Sequence, residues 1–189
     1  MSVRSKLLAV VAALALAGCV NTQSVVTTNF YSVSGQTSEE LDRSLRSRGP
    51  LQGHAIAVAA IRFNPVSVLQ EQGAAGCTFK TAKFRVEAEI TLPRWKERGQ
   101  SNDRQLRRAW DGLARYAKLH EDTHVRIAER FAKLLGDELE KAPAQSSCAR
   151  LDRVAKGIVD RTRRAHNRAQ NAFDAAEQRR LARLFAQSG

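Results

Sequence analysis

Apolar residues follow three rhythms along this chain. From Leu7 to Ala17 eleven of them run without a break. From Lys83 to Leu92 they alternate: Phe84, Val86, Ala88, Ile90 and Leu92 interleave with Lys83, Arg85, Glu87, Glu89 and Thr91. Strict period two predicts a strand with one face buried and one face wet. From about Asn102 to Lys141 apolar residues recur in steps of three and four, through Leu106, Trp110, Leu113, Ala117, Ile127, Phe131 and Leu134, with His120 and His124 in the same seam. That period predicts a long amphipathic helix. Pro143 ends it, and a second long helix is expected from near Ser147 to about Gln187, through Leu151, Ile158, Ala165, Ala169, Phe173, Ala176 and Leu184.

Shorter signals fill the rest. Phe30–Val33 reads as a first strand. Thr37-Ser38-Glu39-Glu40 is a capping box, with Thr37 as N-cap and Glu40 at the third helical position. Its helix runs through Arg48 and stops at Gly49-Pro50. Ala55–Phe63 is rich in apolar and β-branched residues and reads as a buried strand ended by Asn64-Pro65. Gly73–Gly76 is a loop, and Thr78–Leu92 is a strand ended by Pro93. The expected class is α+β: a small antiparallel sheet with one short helix, packed on two long C-terminal helices.

The opening apolar run changes the picture of where the chain resides. Arg4 and Lys6 precede it and Leu16-Ala17-Gly18-Cys19 closes it. Eleven residues make a helix of roughly 16 Å, about half the ~30 Å of a hydrocarbon core, so the run reads as the core of an export signal. Its ending resembles the lipobox of bacterial lipoproteins. That resemblance implies cleavage before Cys19, acyl chains on Cys19 and lasting membrane attachment. Residues 1–18 are then signal, 19–29 a polar tether and 30–189 one domain. Val20 stands where Asp would favour inner-membrane retention, so the expectation is an outer-membrane lipoprotein facing the periplasm. Cys77 and Cys148 remain, and an even pair in an oxidising compartment predicts a disulfide.

The chain has 43% hydrophobic and 26% charged residues, the composition of a packed domain. Its formal charge is +12; removing Arg4 and Lys6 with the signal leaves +10. Such an excess favours anionic partners, but export argues against nucleic acid. The basic stretch Arg161–Arg168 reads as a solvated helix face, with anionic head groups as its functional alternative.

His120-Glu121-Asp122-Thr123-His124 carries the chemistry. Residues four apart share a helix face, so two imidazoles can meet one Zn²⁺ at about 2.0–2.1 Å. Glu121, one step round, can take a proton from metal-bound water during attack on a carbonyl. A catalytic site needs a third protein ligand as well.

The stretch from Trp110-Asp-Gly-Leu113 through Leu119-His-Glu-Asp-Thr-His124-Val-Arg-Ile-Ala128 resembles a bacterial family described as predicted secreted zinc-dependent proteases. Tyr31-x-Val33-x-Gly35-x-Thr37, Gly49-Pro50, Gly76-Cys77, Leu92-Pro93-x-Trp95 and Cys148 follow the same order, spanning most of residues 30–180. The resemblance implies a zincin-like domain. It also implies a final motif, Tyr-Asp-x-x-Thr-x-His-Gly, whose counterpart here is Phe173-Asp174-Ala175-Ala176-Glu177-Gln178-Arg179-Arg180, with Arg179 where that His stands. The third ligand must then come from elsewhere on the last helix. Glu177 is the expected choice, Asp174 is expected to orient a ligand imidazole, and His166 is the runner-up. The expected function is zinc-dependent peptide hydrolysis at the cell envelope, with Phe84–Leu92 available for strand addition if it lies at a sheet edge. The alternative is a non-catalytic envelope lipoprotein on the same scaffold, binding a partner or envelope polymer.

Overall fold

The structure is a computed structural model and describes residues 23–187. The export segment and Cys19 lie outside the described residues. The path runs β1 (Val25–Val33), α1 (Ser38–Arg48), a 3-10 turn (Leu51–Gly53), β2 (Val58–Gly73), β3 (Gly76–Trp95), α2 (Arg104–Glu140) and α3 (Cys148–Gln187). Among the described residues no helix is long and apolar enough to cross a membrane.

The class is α+β, but the sheet is mixed rather than antiparallel. Its order is β1-β3-β2. β2 and β3 form an antiparallel hairpin, and β1 lies parallel to β3 on the other side. Period two along β3 reports which residues are buried and carries no information about strand direction. Direction follows from the connection, and here α1 and β2 intervene before β3. β3 is therefore central, paired on both sides from Glu87 to Thr91. The Phe84–Leu92 segment does not offer a free edge over that span; β2 does.

Three boundaries also move. β1 starts at Val25, so five residues of the expected tether are strand. β2 continues past Pro65 to Gly73, with a register shift between Pro65 and Ser67. A proline without an N–H is tolerated at such an irregularity on an edge strand. β3 continues past Pro93 to Trp95. Thr91 is the last residue paired with β2, so at Pro93 the strand has β1 alone as neighbour and the lost N–H costs no bond on the β2 side.

One sheet face is covered and one is wet. Val86, Ala88, Ile90 and Leu92 pack under Ala117, Val125, Ala128 and Ala132 of α2. On the open face Arg62 pairs with Glu89 at 2.9 Å. α2 begins at Asp103, whose carboxylate accepts from the Gln105 and Leu106 N–H groups, both at 2.9 Å. It crosses β3 closely at Gly136, where a Cβ would lie 2.3 Å from the Ala82 carbonyl oxygen. The capping box at α1 forms with a variation: Thr37 Oγ1 accepts from Glu40 N, while the Glu40 carboxylate reaches back to Gln36 N. Beyond α1 a terminal core gathers Val33, Leu41, Leu45, Trp95 and Trp110. Thus the Tyr31-x-Val33 and Leu92-Pro93-x-Trp95 elements meet in space, and Trp95 Nε1 donates to the Gly35 carbonyl at 2.8 Å.

The opposite end is fastened covalently. Cys77 and Cys148 form a disulfide with Cα atoms 5.1 Å apart. The Cys77 N–H donates to Gln145 O at 2.7 Å and the Gln145 N–H to Cys77 O at 3.0 Å. Gly76 precedes this bridge at φ +115°, where a Cβ would meet Gln145 O at 2.3 Å. Leu151 and Ile158 bury the first turns of α3 against Leu135 and Leu139. Each such side chain contributes about 1.5–3 kcal/mol relative to exposure.

Candidate metal centre

The helical seam of α2 divides into two neighbouring stripes. Ala117, Glu121, Val125, Ala128, Ala132, Leu135 and Leu139 are buried, and all but Glu121 pack in the two core clusters against β3. His120, His124 and Phe131 form a second, half-buried stripe. The partners of the two imidazoles lie on α3, at Gln170, Phe173 and Asp174. The expected single seam mixed these stripes. The separation places the two imidazoles in the α2–α3 groove and Glu121 on the sheet side of it, 5% exposed.

Three ligand-type groups converge there: His120, His124 and Asp174. Asp174 Oδ1 is 3.2 Å from His120 Nε2 and 3.0 Å from His124 Nε2. The two Nε2 atoms are 3.1 Å apart. Ligands at about 2.0–2.1 Å around a tetrahedral zinc are roughly 3.3 Å from one another. The observed triangle is close to that edge length, so the three groups could hold such an ion.

Of the two carboxylates on the last helix, Asp174 is the one the fold brings to the imidazoles. Asp174, assigned to orienting an imidazole, points its oxygen at both. Glu177, assigned as third ligand, is held elsewhere: Tyr116 Oη donates to it at 3.1 Å and Arg180 grips it at 2.8 and 2.9 Å. His166 is outside the group too. Its ring meets Phe63 and Phe131 edge-on at 5.2 and 5.6 Å. The group that could hold a metal therefore includes Asp174 of the final motif, and Arg179 is exposed.

Gln170 does the orienting. Its Oε1 lies 2.6 Å from His124 Nδ1, and its Nε2 donates to the His124 carbonyl at 3.1 Å. The Nδ1 proton is thereby fixed and the Nε2 lone pair turned towards the group. His120 is held by packing, with Phe173 at 4.8 Å and Tyr116 at 6.0 Å. Its Nδ1 is buried without a hydrogen-bond partner among the described residues. Sequence reasoning missed Gln170, Phe173 and Tyr116. A signal existed: residues 166, 170, 173, 174 and 177 share one face of a helix, and 116, 120 and 124 share one on the facing helix.

The sequence matches, over residues 28–180, the model of a bacterial family whose description is a protein of unknown function, DUF922. The chain belongs to the DUF922 family. No curated protein matches it, and no solved structure does.

The DUF922 centre opens into a cleft of about 690 Å³ between α2, α3 and the start of β2, with Val58, Ala59 and Ile61 on the strand side and the exposed His54 at its margin. Burial in this cleft favours the neutral form of His120 and His166. Burial, then the neighbouring His124, lowers the pKa of His120, against the pull of Asp174 and Glu177. Burial raises the pKa of Glu121, opposed first by His124 and also by the Ala59 N–H that faces its carboxylate. Glu177 is lowered, chiefly by Arg180. The site thus brings together two imidazoles, one carboxylate between them and a buried acid beside them.

Proposed function

We propose that this DUF922 protein is a zinc-dependent hydrolase of peptide bonds at the cell envelope. The observation that carries the reading is the convergence of His120, His124 and Asp174, with Glu121 adjacent on α2. When bound there, zinc supplies a polarised carbonyl and a water of lowered pKa. The chain's own groups do the rest. Gln170 holds His124 in the metal-binding tautomer. Burial raises the pKa of Glu121, the direction a group that takes and returns a proton needs. The free edge of β2 runs along the cleft, and its backbone groups suit an extended peptide. An export segment ending at Leu16-Ala17-Gly18-Cys19 and the Cys77–Cys148 bridge both support an oxidising location. In this reading Cys19 carries acyl chains that hold the domain on the outer membrane, facing the periplasm. Loss of labelled fatty acid in Cys19→Ala is the check on that part.

The second reading is a non-catalytic lipoprotein of the same fold that binds an envelope partner. One observation favours it: Glu121 is buried, and Ala59 N–H faces its carboxylate, as in a structural acid. Glu121→Gln separates the two. Zinc-loaded protein is given a quenched-fluorescent peptide library. Catalysis requires that Glu121→Gln keep its zinc and lose about 10²–10⁴-fold in turnover. A wild-type protein that carries zinc and cleaves nothing supports the second reading.

A further inference from the structure

The cleft at the metal group has an apolar side recess. Ile61 and His166 line both the cleft and a second hollow of about 380 Å³. Phe63, Phe84, Leu135 and Val159 form the apolar walls of that hollow. These four come one each from β2, β3, α2 and α3, and Ile61 adds a second wall from β2.

We propose that this recess receives one large apolar side chain, of the size of Leu or Phe, from a peptide whose carbonyl lies at His120, His124 and Asp174. The inference rests on the reading of that centre as a zinc site for peptides. Three features support it. The first is continuity: a chain lying along β2 past Ile61 has the cleft on one side of that residue and the recess on the other. The second is size. Ligand sites usually occupy about 300–1,000 Å³, so a hollow at the lower end takes a side chain while the peptide backbone stays in the cleft. The third is polarity. Beside its apolar walls the hollow is lined by Thr162, Arg163, His166 and Asn167, with no carboxylate to pair a Lys or Arg, which makes burial of such a cation costly. Arg163 at the rim, already paired with Asp160 at 3.1 Å, repels a Lys or Arg that approaches.

His166 gains a role from this arrangement. Its ring is part of the partition, edge-on to Phe63. Its Nε2 is 2.8 Å from Gln170 Nε2, and Gln170 Oε1 is 2.6 Å from His124 Nδ1. A side chain seated in the recess presses on the same row of groups that orients a metal ligand.

The test is calorimetric titration of the zinc-loaded protein with N-formyl hydroxamates of glycine, alanine, leucine, phenylalanine and lysine. The hydroxamate binds the metal and the side chain probes the recess. Leucine and phenylalanine compounds are expected to bind at least tenfold tighter than the glycine compound, and the lysine compound no tighter than glycine. Val159→Trp fills the recess from a position that is 39% exposed and so tolerates the change. It is expected to cut the leucine preference below threefold and leave glycine-hydroxamate affinity within twofold. Equal affinities across the series, with the glycine compound bound, overturn the recess and leave the metal centre standing. An undiminished leucine preference in Val159→Trp overturns it as well. Failure to take up zinc or bind any hydroxamate overturns the metal reading and the recess together.

Discussion

The two ends of the α2–α3 pair are held by different chemistry. At the disulfide end, Cys77–Cys148 fixes the start of α3, and Leu151 and Ile158 are buried against Leu135 and Leu139. At the metal end, α3 meets α2 through Gln170–His124, Asp174–His120/His124 and Glu177–Tyr116, with Phe173 the main apolar contact. One end is fastened by a covalent bond and apolar burial, the other by polar groups converging on a point. Convergent polar groups without an ion are a poor fastener, because each must be desolvated to meet the others. An ion held by His120, His124 and Asp174 would therefore have a structural task as well, closing the open end of the helix pair.

The largest effect belongs to the covalent end. Replacing Cys77 and Cys148 by Ser is expected to cost about 4 kcal/mol in denaturant unfolding by the chain-entropy argument, the two being 71 residues apart. If hydrogen exchange in that variant rises in residues 148–158 and not in 165–181, the two ends are independent fasteners. A uniform rise breaks the comparison.

Zinc is expected to act on the other end. At free zinc a hundredfold above its Kd the gain is about 2.7 kcal/mol. Amide protection is expected to increase chiefly in residues 165–181 and around His120–His124, and chelator is expected to reverse it. Equal protection at both ends removes the clasp from the account.

Gln170→Leu keeps the shape of the side chain and removes the partner of His124. Loss of an orienting group of this kind costs about 10–100-fold in metal affinity. An unchanged affinity would mean that packing against Phe173 alone sets the ring.

The smallest effect is in pH. His120 and His166 have lowered pKa values in the fold, both mainly through burial. On acidification the unfolded chain takes up these protons first, near its ordinary His value of about 6.5, so stability falls from there downward. Glu140, at the disulfide end, is lowered chiefly by Lys83 and also by Ala82 N–H. Its contribution is present above the ordinary Glu value of about 4.3 and lost only as pH falls through the lower folded one. In chelated protein the metal end is expected to loosen between about pH 7 and 5 while the disulfide end stays protected, as read by exchange at matched intrinsic rates.

Much of this was legible in the sequence, and the misses share a cause. Thr37 and Gly49 mark the ends of α1 through local bonds, and α2 and α3 lie close to where their periods put them. The disulfide followed from counting. What local pattern cannot hold is the relation between elements. The direction of β1, the continuation of β2 through Pro65 and the splitting of the α2 seam depend on what packs against each segment. Which carboxylate lies beside the imidazoles is a relation of the same kind. Asp174 and Glu177 are three residues apart and equally suited by spacing, and only Tyr116 and Arg180 decide that Glu177 is held away. Gln170 was invisible because a neutral amide carries no chemical signal until its partner, His124, is seen opposite it.

The central claim is that His120, His124 and Asp174 hold one zinc ion. The most direct measurement is zinc per chain in purified wild type, Asp174→Ala and Glu177→Ala, after dialysis at neutral pH. The account predicts close to one zinc per chain in wild type and in Glu177→Ala, and little or none in Asp174→Ala. A wild type without stoichiometric zinc, or one whose zinc survives in Asp174→Ala and is lost in Glu177→Ala, contradicts it.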